Sequence, residues 1–142
     1  MDWIDVARVG TDTGTLVLIW LVQLVIYPAL CYYQSTDLIR YHPFYTVNVS
    51  KVIVPLLVVQ LGLIGWSVLF RGDLYDWLSL AIAGMLWLHT FIYFVPAHDR
   101  ITKNAMRNNE LVDIIKENWW RTAMWSALFL VTLTKTLVTY SS

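Results

Sequence analysis

Cysteine and charge are both scarce in this chain, and each scarcity excludes something. The single cysteine among 142 residues, Cys31, permits no intrachain disulfide and no cysteine-based zinc site. Its place inside an apolar run reads as a small core position. Charged residues make up 14%, against about 25% in an ordinary soluble domain. The net charge is zero, so nothing draws the chain over long range to nucleic acid or to an acidic membrane surface. The opening stretch, Met1-Asp-Trp-Ile-Asp-Val-Ala-Arg8, lacks the basic segment and small-residue cleavage site of a secretory signal. Met1 is therefore expected to be the mature start and the first apolar run a permanent span. Repeats, low-complexity segments, a Ser-His-Asp motif and paired HxxxH or ExxH metal motifs are also missing.

What the chain has in surplus is apolar surface. Hydrophobic residues reach 58%, more than one domain of this size can hide in a core. A bilayer core of about 30 Å takes about 20 apolar residues in helix. Four runs meet that requirement, at about 15–33, 52–70, 77–95 and 119–140. The fold class expected is all-α: a single integral membrane domain built as a four-transmembrane-helix antiparallel bundle. Strands are excluded because four spans are too few to close a barrel and an open edge cannot stand in lipid. Pro28 and Pro55 should kink their helices or sit near their ends. The pairs Gly62 with Gly65 and Ala81 with Gly84 suggest close helix contacts. Arg121 and Lys135, near the ends of the fourth run, are expected to extend their charged heads to the interface.

The connections differ in weight. Gln34 to Ser50 reads as a loop rich in aromatics, Arg71 to Asp76 as a tight turn, and Pro96 to Asn118 as the longest loop. Within that last segment Leu111, Val112, Ile114 and Ile115 have helical spacing. The fourth helix should thus begin near Glu110, after a break at Asn108-Asn109. Basic residues set the orientation. Arg40, Lys51, Arg100, Lys103, Arg107, Lys116 and Arg121 lie on the side of the two longer loops, and Arg8, Arg71 and Lys135 on the other. This bias predicts a multi-pass protein of a bacterial inner membrane with both termini on the non-cytoplasmic side.

All three histidines, His42, His89 and His98, fall toward the long-loop end, among polar residues that lipid alone would not favour. Trp20, Gln23 and Tyr27 share a helix face, as do Asn118, Arg121 and Trp125. His42, Tyr45 and Asn48 follow at spacings of three, then Lys51. Buried polar groups in a membrane are costly and mark sites. An aromatic-lined pocket between helices with a few polar groups is what a small-molecule site looks like. The plainer reading stands beside this: Tyr32, Tyr33, Tyr41, Trp119 and Trp120 form an interfacial belt, and Gln23 and Gln60 bridge helices. His89 stands out because it lies in an apolar run with no adjoining charge. If a metal is held at all, His42, His98 and His89 are the ligands to consider.

The stretch Val95-Pro-Ala-His-Asp-Arg-Ile101, followed by Asn118-Trp-Trp-Arg-Thr122, resembles the junction of the third and fourth helices in the anthrone oxygenase-like family of small four-helix membrane proteins. That family carries a Val-Pro-x-Asn-like step and then a Trp-Asn-x-x-Arg-Thr-like start to the last helix. The resemblance covers the second half of the chain, with an echo at Tyr27-Pro28. Here His98 stands where the family more often has Asn, and Asn118 precedes the tryptophans. The resemblance implies oxidation of an anthrone-type substrate by O₂ without metal or organic cofactor, although most bacterial members have no assigned function.

Taken together, the expectation is a membrane protein with an intramembrane pocket for a hydrophobic aromatic or quinone-like small molecule, acting as a cofactor-independent oxygenase. His89 is the candidate base, Arg121 and Asn118 the oxyanion stabilisers, and Gln23, Tyr27, Tyr45 and Trp125 the substrate-binding residues. Two alternatives remain open. One is a non-catalytic small subunit or assembly factor that works with a membrane protein partner or as a homo-oligomer. The other is a membrane enzyme with a histidine metal site.

Overall fold

The computed structural model describes residues 2–141. Four helices follow one another: α1 (Trp3–Leu30), α2 (Ser35–Phe70), α3 (Leu74–Thr102) and α4 (Glu110–Ser141), each long and apolar enough to cross a membrane. At most a third of the residues in each helix's apolar window are buried within the bundle. The remaining apolar surface faces outward, which only lipid makes favourable. The chain is an all-α, multi-pass transmembrane helix bundle.

The helices run well beyond the apolar runs. The segment Gln34 to Ser50, expected as a loop, is helical from Ser35 onward and continuous with the second span. Its aromatics are not loop residues. Leu38 and His42 are one turn apart and both fully buried, so an inward stripe carries the helix past the apolar window. Pro43 and Pro55 lie inside α2. The first helix likewise starts at Trp3, capped by Asp2, whose side chain accepts from the backbone N–H of Ile4 and Asp5 at 3.0 Å each.

Short turns fix the connections. Gly72 ends α2 with a positive φ of 62°, and its N–H closes a 3.1 Å bond to the Ser67 carbonyl. A Cβ there would stand 3.2 Å from the Val68 carbonyl. Asp73 then caps α3 by accepting from Asp76 N–H. Asn104 (φ 55°) ends α3, and Asn109 (φ 65°) precedes α4, matching the break expected there. Glu110 accepts from Arg100 Nε at 2.9 Å and from Arg107 N–H at 3.1 Å, tying this connection shut.

Two wide turns shape the site. Val22–Ile26 in α1 and Thr90–Phe94 in α3 are π-helical, and each is followed by an X-Pro step, Tyr27-Pro28 and Val95-Pro96. Proline lacks the N–H that would close an α-turn, and its ring crowds the preceding turn. A wide turn relieves that crowding and rotates the following face, a device common at functional sites.

Several sequence expectations are corrected here. Gly62, Gly65 and Gly84 have nothing within 4 Å of an added Cβ, and Ala81 is exposed, so none of them marks a tight helix contact. Cys31 is exposed in the turn after α1 and is not a core residue. Lys135 does not extend outward from the bundle: it is 8% exposed and pairs with Asp76 and Asp73.

Candidate functional site

A cavity of about 490 Å³ opens inside the bundle, lined by all four helices. Most of its wall is apolar, from Leu18, Ile19, Ile53, Leu57, Leu86 and Trp125. Its polar side chains gather mainly at the long-loop end, where Tyr27, Tyr45, His98 and Arg121 face the space. Val54, Phe91 and Val95 also line it, yet each is at least half exposed. The mouth therefore lies between α2 and α3 and looks onto lipid.

The polar end is cross-linked by hydrogen bonds. Tyr27 Oη lies 3.0 Å from His98 Nε2, His98 Nδ1 lies 3.0 Å from His42 Nε2, and His42 Nδ1 lies 2.9 Å from Thr102 Oγ1. This chain joins α1, α2 and α3. A second one joins α1 to α4: Asn118 Nδ2 donates to Gln23 Oε1 at 2.9 Å, and Gln23 Nε2 donates to the Ile115 carbonyl at 3.3 Å. Arg121 meets it by donating to Asn118 Oδ1 at 3.3 Å. The Arg121 guanidinium also sits 4.2 Å from the Phe94 ring centroid, within electrostatic reach of Tyr27 and Tyr45. Its Nε is buried and has no hydrogen-bond partner among the described residues.

Of the residues singled out from sequence, Tyr27, Tyr45, His98, Arg121 and Trp125 line the cavity. Gln23, Asn118 and His42 stand directly behind them and are almost fully buried. Trp20, by contrast, is partly exposed and donates to Ser126, and Asn48 is exposed and accepts from Lys51. His89 lies outside the cavity wall. Its Nε2 is 3.5 Å from Glu117 and its ring packs edge-on to Phe94 at 5.3 Å. The absence of an adjoining charge, inferred from the apolar run, is thereby corrected: Glu117 on α4 supplies one. Asp99, next to His98 on α3, pairs with Lys103.

Among the described residues no three His, Cys, Asp or Glu side chains are grouped as metal ligands. His42 and His98 meet nitrogen to nitrogen in a hydrogen bond, and His89 is not part of their chain.

A second polar cluster, at the opposite end, was not anticipated. Arg8 Nη1 meets Asp76 Oδ1 at 3.1 Å, and Arg8 Nη2 donates to Ser79 and Thr132 at 2.9 Å each. Lys135 Nζ lies 2.6 Å from the same Asp76 oxygen. Asp12 accepts from Thr132 at 2.6 Å and from Gln60. Arg8, Asp12, Asp76, Ser79, Thr132 and Gln60 are all almost fully buried. The available sequence signal was the i,i+4 spacing of Arg8 and Asp12, which marks a charged stripe on a helix face. It lay in a stretch that reads as a polar terminus.

No protein-family model, no curated protein and no solved structure matches the chain.

Proposed function

We propose that this protein binds a flat hydrophobic phenol, anthrone or quinone-like molecule inside the bundle and oxidises it as a cofactor-independent oxygenase. The observation that carries this reading is the asymmetry of the cavity, apolar along most of its length with Tyr27, Tyr45, His98 and Arg121 at one end. An amphiphile partitioned in the bilayer would enter between α2 and α3, its ring system against Phe94 and Trp125 and its oxygen toward Arg121. A guanidinium beside the substrate oxygen favours the anion over the neutral acid. His98 takes the role of base through the Tyr27 hydroxyl bonded to its Nε2, because it reaches the cavity and His89 does not. The resulting carbanion or phenolate is the electron-rich form that reacts with O₂. For a methylene carbon, one oxygen atom ends in the new carbonyl and the other in water. The Val95-Pro96 and Asn118 to Thr122 resemblance to the anthrone oxygenase-like family supports the same chemistry.

The charge bias supports an inner-membrane protein with its long-loop face in the cytoplasm and both termini outside. Arg40, Lys51, Arg100, Lys103, Arg107, Lys116 and Arg121 lie at that end, against Arg8, Arg71 and Lys135 at the other.

The test is O₂ uptake and anthraquinone absorbance with purified protein and a hydroxylated anthrone, beside equilibrium binding of the same compound. Turnover that saturates and falls by about 10² in Arg121→Gln supports the assignment. Binding without O₂ uptake above the uncatalysed rate removes the oxygenase.

A further inference from the structure

The side-chain sequence Tyr27–His98–His42–Thr102 has two different ends. Tyr27 borders the cavity. Thr102 is the last residue of α3, partly exposed beside the exposed Lys103. Between them His42 is fully buried, so the middle of the chain is insulated from water. Each imidazole uses both of its ring nitrogens, with separations of 2.9–3.0 Å along the whole series.

That geometry locks the tautomers to one another. A neutral imidazole has one donor and one acceptor nitrogen, and a hydroxyl is both. If Tyr27 donates to His98 Nε2, His98 must carry its proton on Nδ1 and donate to His42 Nε2. His42 then carries its proton on Nδ1 and donates to Thr102. The reverse arrangement points every donor toward the cavity. Any other pattern sets two lone pairs or two protons against each other.

We propose that this series is a one-proton wire, through which an acidic proton of the cavity's occupant reaches water at the long-loop face. The proposal rests on the reading that the cavity holds a hydrophobic acid such as a phenol. The ligand O–H bond breaks and its proton joins Tyr27 Oη, while the Tyr27 proton passes to His98 Nε2. His98 releases its Nδ1 proton to His42 Nε2, and His42 its Nδ1 proton to Thr102 Oγ1. The Thr102 hydroxyl proton goes to water. The products are a ligand oxyanion beside Arg121 and one solvated proton, with no change of oxidation state. Charged and titratable groups facing His98 are Tyr27 from α1, His42 and Tyr45 from α2, and Arg121 from α4. Both imidazoles are neutral before and after the transfer, so no imidazolium is left in the series. The alternative exit, the cavity mouth at Val54, Phe91 and Val95, faces lipid and offers no acceptor.

An alkyl-nitrophenol provides the probe, because its phenolate absorbs in the visible. The probe is first titrated into wild-type protein in lipid nanodiscs. A pH jump in a stopped-flow instrument then gives the rate at which the bound probe changes protonation state. The same rate is measured for Thr102→Val, which keeps the side-chain shape at the outer end, and for His42→Gln. The wire requires both variants to slow equilibration by about 10², the lower range for a single positioned proton-transfer group. It also requires a solvent deuterium effect in wild type that both variants reduce. Failure of wild type to bind the probe saturably would remove the cavity reading itself. Saturable binding with equal rates in wild type and either folded variant would overturn the wire and leave the cavity standing.

Discussion

Lys135 Nζ stands 2.6 Å from Asp76 Oδ1 and 2.8 Å from Asp73 Oδ2, so a lysine near the C-terminus of the last helix is tied to the start of the third. Asp76 is fully buried and also meets Arg8 of α1 at 3.1 Å. One carboxylate thus joins three helices. Removing it leaves two cations without their shared counter-charge, whereas removing Lys135 leaves the Arg8–Asp76 pair in place. Breaking a buried pair costs about 3–5 kcal/mol. Asp76→Asn should therefore lose about that much stability, and Lys135→Met clearly less, in thermal unfolding followed by circular dichroism in detergent. A variant order reversed from this, or an Asp76→Asn melting temperature equal to wild type, would refute the assignment of Asp76 as the junction.

Asp73 connects that cluster to water, being the outermost of its carboxylates. Partial burial pushes its carboxyl up, but the hydrogen bond from Lys135, the backbone N–H of Asp76 and the Lys135 charge together outweigh it. They hold Asp73 below the ordinary 3.8. A depressed folded-state value means that its contribution is present in full above the unfolded value and is lost as pH falls through the folded one. The stability gap between wild type and Asp73→Asn should be constant above about pH 4 and shrink in more acidic solution. Asparagine caps a helix about as well as aspartate, so the gap reports the contact with Lys135 and not the cap. Unfolding curves at stepped pH measure it, and a gap that widens on acidification would contradict the sign.

Cys31 offers a direct test of topology. It is exposed in the turn between α1 and α2, at the end away from Tyr140, whose hydroxyl meets Asp2 N–H and Asp5. A membrane-impermeant maleimide should reach Cys31 from the cytoplasmic face, and a cysteine placed by Ser141→Cys in a Cys31→Ser background only from the other. Labelling of both positions from one side would be incompatible with four spans.

Hydropathy made the four spans and their antiparallel order legible, because lipid imposes an apolar length that no other solvent does. It did not show where the helices end. Inward stripes such as Leu38 and His42, and the Arg8 and Asp12 face, continue the helices through segments that hydropathy reads as loop or terminus. The polar end of the cavity was legible as a set of residue types, and the spacing of Asn118, Arg121 and Trp125 correctly placed them on one inward face. What spacing could not supply was the rotation added by the π-turns before Pro28 and Pro96. His89 and His98 are nine residues apart, about two and a half α-turns, so spacing alone already set these two on different faces of α3. Glycine was misleading for a related reason: small residues mark close contacts only where they face a neighbour, and Gly84 faces outward. Gly84→Ala should accordingly raise the melting temperature, by the equivalent of about 0.5–1 kcal/mol of backbone entropy. A fall would restore the helix-contact reading.

Arg121 is the residue on which the site reading turns. It enters the bundle one turn after Asn118, accepts no exposed position at the interface, and is held by Asn118 Oδ1 at 3.3 Å and by the Phe94 ring at 4.2 Å. Both contacts use the planar guanidinium, which can stack on a ring and donate in its own plane at once. A lysine ammonium keeps the charge but cannot do both from one position. Arg121→Lys should thus lose about 1–3 kcal/mol, the range for a buried partner left unsatisfied. It should also lose most of the stabilisation that a bound alkyl-phenol gives the wild type, since the planar fork that lines the cavity is replaced by a single ammonium. Arg121→Gln, without charge, should lose the ligand shift altogether at a pH where the phenol is ionised. Melting curves for the three proteins, with and without saturating phenol, separate the cases. Equal melting temperatures and equal ligand shifts for wild type and Arg121→Lys would reduce Arg121 to an interfacial anchor and remove the oxyanion contact from the proposed chemistry.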